Sequence, residues 1–236
     1  MGSTVKISHG LGWGDAITFA SAIEEYANTN DGVVLDSTRI YSLQKELLSN
    51  VDNIQFCTVF AYDQHVQMCW KDVIDTPQWR QLPISFVRDS QAEQEILDFY
   101  TEKYGDRFIL THHRMQDNGG VRLSELDYGL IENPDGIPVI NLDFDAVKSE
   151  GNLDKGLLNY GKLIEQAEQI HVYEGSFCCL TDTILEGADN LYWHGYVKPY
   201  LWNPRKQPHN QIIGYISDRK WHKNDWTYLG LDKKAL

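Results

Sequence analysis

Three short stretches of this chain hold side chains able to do chemistry. The first is Gly10-Leu-Gly12-Trp-Gly14-Asp15. It joins an apolar strand-like run, Val5–Ser8, to a helical stripe. Glycines let a backbone approach a ligand closely and take positive φ without penalty. A helix start offers unpaired N–H groups and a partial positive charge, which suits an anion. The dinucleotide fingerprint, however, needs glycine at its sixth position, where this chain has Asp15, and the Walker lysine is missing. A carboxylate there repels a diphosphate. Gly12 and Gly14 are therefore expected beside a sugar or acceptor rather than beside the diphosphate itself. Asp15 is either a helix-capping acid or a carboxylate pointing into a cleft from the end of the first strand, where α/β proteins keep their chemistry.

The second stretch is RFILTHHRMQDNGGVR, residues 107–122. A strand, Phe108–Thr111, delivers His112, His113 and Arg114 at its carboxyl end, followed by Asp117. The planar fork of arginine binds phosphate in a bidentate way, so Arg114 is the best phosphate ligand of the chain. The competing account is an exposed turn with an Arg–Asp ion pair. His112 is either a base or a hydrogen-bonded structural residue. The third stretch, IHVYEGSFCCLTDTI (170–184), reads as strand, then Glu174-Gly175-Ser176, then a helix beginning near Phe177. Ser176 is expected to cap that helix, with the free N–H groups turned to an anion or simply capped. Asp143-x-Asp145 has the spacing of a divalent-metal pair, and is also explained by a strand-end acid followed by a turn cap. The sites expected to carry the chemistry include no metal.

These residues need a frame. Strands are expected at Val5–Ser8, Val33–Asp36, Ile54–Phe60, Phe108–His112, Pro138–Leu142, Ile170–Tyr173 and Leu191–His194. Core-facing helical stripes run through Ile17, Ala20, Ile23 and Ala27; through Ile96, Leu97, Tyr100 and Tyr104; and through Leu153, Leu157, Tyr160, Ile164 and Ala167. Strand–helix alternation means parallel sheets covered by helices. It happens twice, which predicts an α/β protein of two small Rossmann-like domains facing a cleft. The boundaries fall at 1–102, 103–200 and a tail, 201–236, of coil and short helix packed back on the body. Trp193, Trp202, Trp221 and Trp226 are candidates for exposed aromatics that stack on sugar rings, and equally for residues that pack the tail onto the body.

Bulk properties narrow the partners. The chain has 236 residues, 42% hydrophobic and 12% aromatic, enough to bury a real core. A net charge of −13 argues against an extended nucleic-acid surface. No run reaches the roughly 18 apolar residues of a membrane span, and no signal-peptide core opens the chain. Cysteines at 57, 69, 178 and 179 follow neither a zinc spacing nor a disulfide framework, so buried free thiols in a cytoplasmic protein are expected. Met1-Gly2-Ser3 reads as an appended start, so the chain can be one piece of a larger multidomain protein.

In order, these features resemble a GT-B glycosyltransferase. GLGWGD is similar to the Gly-Leu-Gly-Asp start of heptosyltransferase-like enzymes, with two residues inserted. His112-x-Arg114-x-x-Asp117 is similar to the His-x-Arg-Arg-x-Asp motif of fucosyltransferases, with Met115 in place of the second arginine. The resemblance implies a compact GT-B fold, with an N-terminal acceptor domain and a C-terminal nucleotide-sugar domain. It implies no cofactor beyond a GDP- or UDP-linked sugar donor, and a glycan or glycoconjugate acceptor. It fits short enzymes of the fucosyl or rhamnosyl type from viral, phage or bacterial glycan clusters, in the host cytoplasm if viral. Arg114 would hold the β-phosphate. Ser176, with the N–H groups of Phe177 and Cys178, would hold the other phosphate oxygens. Glu174 or Asp182 would bind ribose or sugar. Asp15 would be the general base of an inverting, metal-independent transfer, with His9 and His112 as alternatives. The rival expectations are a metal-dependent GT-A enzyme using Asp143 and Asp145, and a non-catalytic sugar- or nucleotide-binding module.

Overall fold

The structure is a computed structural model that describes residues 4–8, 13–36, 41–57, 66–67, 87–112, 126, 128–142, 156–172, 176–194 and 224–229. The chain divides into two compact units, Met1–Val87 and Arg88–Leu236.

The first unit is built on a four-stranded sheet. Its elements are β1 (Thr4–Ser8), α1 (Trp13–Thr29), β2 (Gly32–Asp36), α2 (Tyr41–Leu47), β3 (Ile54–Cys57) and β4 (Val66–Gln67). The strands lie in the order β3-β2-β1-β4, and every pair is parallel. The expected stripe of α1 faces the core: Ile17, Ala20, Ile23 and Ala27 are all buried, joined by Ala16 and Phe19. β2 places Val33 and Leu35 in the same core, and α2 adds Leu43 and Leu47. Asn53 takes φ 62° just before β3. Asparagine tolerates that left-handed turn better than most residues, and the Asn53 carbonyl accepts the N–H of Val33 at 2.8 Å.

The second unit contains α3 (Ser90–Tyr104), β5 (Ile109–His112), a 3-10 turn (Tyr128–Leu130), β6 (Val139–Asn141), a second 3-10 turn (Leu157–Tyr160), α4 (Gly161–Gln166), β7 (Gln169–Val172), α5 (Ser176–Ile184), β8 (Leu191–His194) and β9 (Thr227–Leu229). Its five strands lie in the order β6-β5-β7-β8-β9, again all parallel. Residues in register share a face, and faces alternate along each strand. One face therefore carries Leu110, Ile170, Val172, Leu191 and Trp193. This is the apolar side on which α5 lies, with α4 beside α5 and α3 beside α4.

Two expectations shift. The boundary falls at Val87/Arg88 rather than at 102/103. The reason is the attachment of α3. Its buried Ile96 and Tyr100 pack on the second unit, and its start is pinned there by ion pairs. Arg88 donates to both oxygens of Glu93, at 2.7 and 2.6 Å, and also to both carboxylate oxygens of Glu165 on α4. Lys162 donates to the Ser90 carbonyl and to Gln94. The tail also differs from the expected coil and helix: residues 227–229 form β9, an edge strand beside β8.

The Arg88 clamp has a measurable consequence. Glu93 is only 1% exposed, so its charge depends on a partner. Arg88→Met should lower the unfolding free energy by about 2–3 kcal/mol, below the full cost of a broken buried pair because Arg88 is part-exposed. Adding Glu93→Met should recover most of that loss, since no buried charge then remains. Urea unfolding of the two variants checks it; equal losses for single and double variants would show that the clamp contributes through packing alone.

Candidate functional site

Parallel sheets gather their functional loops at the carboxyl ends of the strands, at the point where the strand order reverses. In the first unit that point is β1, flanked by β2 on one side and β4 on the other. The chain leaving β1 enters the glycine stretch and then α1. Gly14 and Asp15 lie within the first turn of α1, which begins at Trp13. Asp15 is thus the third helical residue rather than the cap residue. An acid in a first turn is still favoured by the helix dipole. Gly12 lies outside the described residues.

In the second unit the reversal is at β5, between β6 and β7. His112 ends β5, and α5 follows β7. The two meet directly. The His112 ring stacks on Phe177 with centroids 4.8 Å apart and planes 7° from parallel. Phe177 is buried, and Tyr160 meets its edge at 6.2 Å. Burial pushes the Tyr160 hydroxyl above its ordinary range, so it stays protonated. His112 is half-buried and its Nδ1 is enclosed. A histidine stacked in this way has a fixed plane, a requirement for any directional proton transfer.

Ser176 is the first helical residue of α5 rather than the residue before the helix. The first turn of α5, Ser176 to Cys179, carries no acidic side chain. Its N–H groups keep their positive end uncompensated by any carboxylate of that turn. Cys178 and Cys179 are buried free thiols within it. The structure thus brings together His112, Ser176 and Phe177. Arg114, Asp117, Glu174, Gly175, Asp143, Asp145 and His9 lie outside the described residues.

One expectation is overturned and one pair of alternatives is decided. Asp182 is not available to bind ribose or sugar. Its side chain is fully buried, and Oδ1 accepts from the Asn224 backbone N–H at 3.0 Å, from Asn224 Nδ2 at 3.1 Å and from Trp226 Nε1 at 3.1 Å. It anchors the segment that leads into β9. Of the two accounts of the tryptophans, packing of the tail holds for Trp193 and Trp226, which are 3% and 2% exposed. Trp193 meets the edge of Tyr228 at 5.5 Å, so both tryptophans join β9 to the body. Trp202 and Trp221 lie outside the described residues.

The sequence reading passed over one polar cluster, His171 with Gln169 and His194. Its signal was present as polar residues two apart, Gln169-x-His171 and Tyr192-x-His194, inside strands taken as apolar runs. Among the described residues no helix is long and apolar enough to cross a membrane.

The Asp182 anchor is testable. Asp182→Ala should destabilise the second unit by about 3 kcal/mol, the order expected when a buried charged acceptor with several donors is removed. It should also raise amide exchange in 224–229 before the rest of the unit. Asp182→Asn, which keeps one acceptor oxygen, should lose less. Loss of ligand binding with unchanged stability would reinstate Asp182 as a ligand residue.

With this geometry in hand, comparison with known proteins adds no relative: the chain matches no protein-family model, no curated protein and no solved structure.

Proposed function

We propose that this chain is a compact glycosyltransferase of the GT-B type, moving a sugar from a nucleotide-diphosphate donor, GDP- or UDP-linked, to a glycan hydroxyl. One observation carries the reading. Each unit is an all-parallel sheet, and the stretches with chemical potential follow the strand at which each order reverses: Gly14 and Asp15 after β1, His112 at the end of β5. Two Rossmann-like units with a site apiece are what a two-substrate transfer requires.

In this reading the acceptor hydroxyl attacks C1 of the donor sugar as the bond from C1 to the β-phosphate oxygen breaks. Asp15 takes the hydroxyl proton, and configuration at C1 inverts. The electron pair of the broken bond stays on the nucleoside diphosphate, whose new charge is met by Arg114 and by the first-turn N–H groups of α5. Glu174 and Gly175 border the same turn, and Asp117 completes the arginine loop. His112 shares this edge with Phe177 and is the alternative proton acceptor. No cofactor and no metal take part, and the protein acts in the cytoplasm.

A thermal-shift and calorimetric screen of nucleoside diphosphates and nucleotide sugars, with and without magnesium or manganese, tests the proposal. A ligand that binds only the folded state raises the melting temperature by mass action. One nucleotide should bind without metal, and Arg114→Ala should abolish that binding. Asp15→Asn should keep the binding and lose turnover by about 10²–10⁴-fold, the usual worth of general-base catalysis. Binding that needs manganese together with Asp143 and Asp145 would replace this mechanism by a GT-A one. Nucleotide binding with no turnover in the parent chain would leave a binding module.

A further inference from the structure

Residues 224–229 hold on to α5 through side chains more than through strand pairing. β9 is three residues long, and its strand neighbour among the described residues is β8. The residue that does most of the holding comes just before it. Asn224 is 6% exposed, and both ends of its amide are engaged. Nδ2 is shared among the Asp182 carboxylate at 3.1 Å, the Asp182 carbonyl at 3.1 Å and the Leu185 carbonyl at 2.9 Å. Oδ1 accepts the Ala188 N–H at 3.3 Å. The Asn224 N–H donates to Asp182 Oδ1 at 3.0 Å, and Trp226 Nε1 donates to the same oxygen at 3.1 Å.

These bonds do for α5 what its own last turn does not. The final carbonyls of a helix have no partner inside it. Asp182 lies in the last turn of α5, Leu185 follows that turn directly, and the turn holds no basic side chain. Asn224 therefore caps the carboxyl end of α5 from 42 positions further along the chain. A helix of nine residues is below the roughly 12–15 that an isolated helix needs even for marginal stability, so such contacts and packing decide its order. At its other end the same helix carries Phe177, whose ring lies against His112 at the end of β5.

The segment is seated against a cost. Tyr228 of β9 meets the buried Trp193 edge-on. Trp193 Nε1 is enclosed without a hydrogen-bond partner, and a buried donor in that position has lost its hydration with nothing in exchange. Withdrawing β9 takes Tyr228 off Trp193 and returns that N–H to water. Bonds gained around Asn224 are thus set against hydration lost at Trp193, the condition for a segment that opens while the rest of its unit stays folded.

We propose that residues 224–229 are a strap that opens and closes on α5, and that the closed strap fixes the last turn of α5 and, through Phe177, the ring plane of His112. Opening removes the cap that Asn224 supplies. Helix order is cooperative, so a helix this short loosens as a whole once its last turn is lost. The Phe177 ring then no longer holds the imidazole in one plane. Asn224 is a positioning residue in this scheme, because it reaches the carboxyl edge of the sheet only through α5. The inference does not depend on the transferase reading, since it is read on amides and rings.

The test is native-state hydrogen exchange on the full chain in urea below its unfolding midpoint. In the unaltered protein the amides of 224–229 and Ala188 should open together with those of α5, with one opening free energy and one urea dependence, before β5 and β7 open. Asn224→Asp keeps the acceptor for the Ala188 N–H but sets a second carboxylate against Asp182. It should leave the strap open in most molecules, speed exchange in α5 by about tenfold or more, and move the His112 ring resonances toward those of an unstacked imidazole. Adding Asp182→Asn puts an amide donor opposite the new carboxylate and should recover part of all three changes. An α5 that stays protected until global unfolding while 224–229 exchanges, or His112 resonances that do not follow the strap, would overturn the proposal. So would a single opening shared by 224–229, α5, β5 and β7. Exchange in the unaltered chain decides the matter even if a variant fails to fold.

Discussion

Every strand pair described in either sheet is parallel. A parallel pair cannot be closed by a tight hairpin; the chain must return over a face of the sheet before the next strand can start. This constraint organises both units. It forces a crossover, often a helix, between consecutive strands, and it collects every loop that follows a strand at the same edge. The position at which the strand order reverses leaves a gap between two such loops. β1 and β5 occupy those positions, and the chemically equipped stretches of the sequence follow them directly. The same topology explains why the helices carry apolar stripes: α1 and α3 must each cover a layer that would otherwise meet water.

The second unit buries more polar chemistry than a plain scaffold needs, and it handles each case differently. Glu93 is paired with the Arg88 guanidinium, which reaches both of its oxygens. Those carboxylates in turn hold the arginine above its ordinary pKa, the Glu93 bond contributing most. Asp182 is satisfied by N–H donors from Asn224 and Trp226. The His171–His194 pair is joined ring to ring at 3.0 Å, and burial first and His194 second push His171 down to about 3. Glycine matters at one of these points. A Cβ on Gly161 would sit 2.5 Å from both Arg88 and Glu93, so the absence of a side chain there is what lets the clamp close over α4.

The frame was legible because its signals are periodic. All seven expected strands fall on observed ones, and the stripe of α1 is buried residue for residue. β4 escaped because two residues carry no period, and β9 because Thr227–Leu229 lies among polar neighbours and gains its strand by pairing with β8. The boundary differs because α3 reads as a continuation of the first unit along the chain, whereas the Arg88–Glu165 ion pair and the Lys162–Gln94 hydrogen bond that claim it come from residues about seventy positions further on. Asp182 reads as a ligand in the sequence for the same reason. A carboxylate that caps a distant segment and one that binds sugar look alike until its donors are in view.

The helix starts sort the anion sites by charge. α3 fills its own N-terminus: the Asp89 carboxylate accepts the N–H groups of Gln91 and Ala92, at 3.1 and 3.0 Å. α1 begins at Trp13, with Asp15 as its third residue. α5 begins Ser-Phe-Cys-Cys and has no such acid. In a chain of net charge −13, long-range attraction cannot recruit a phosphate, so the anion must be held by local dipoles and by individual cations. Of these three helices, α5 is the one whose first turn is free of its own carboxylate. An anion is therefore better met by the first turn of α5 than by that of α3, whose N–H groups Asp89 already occupies.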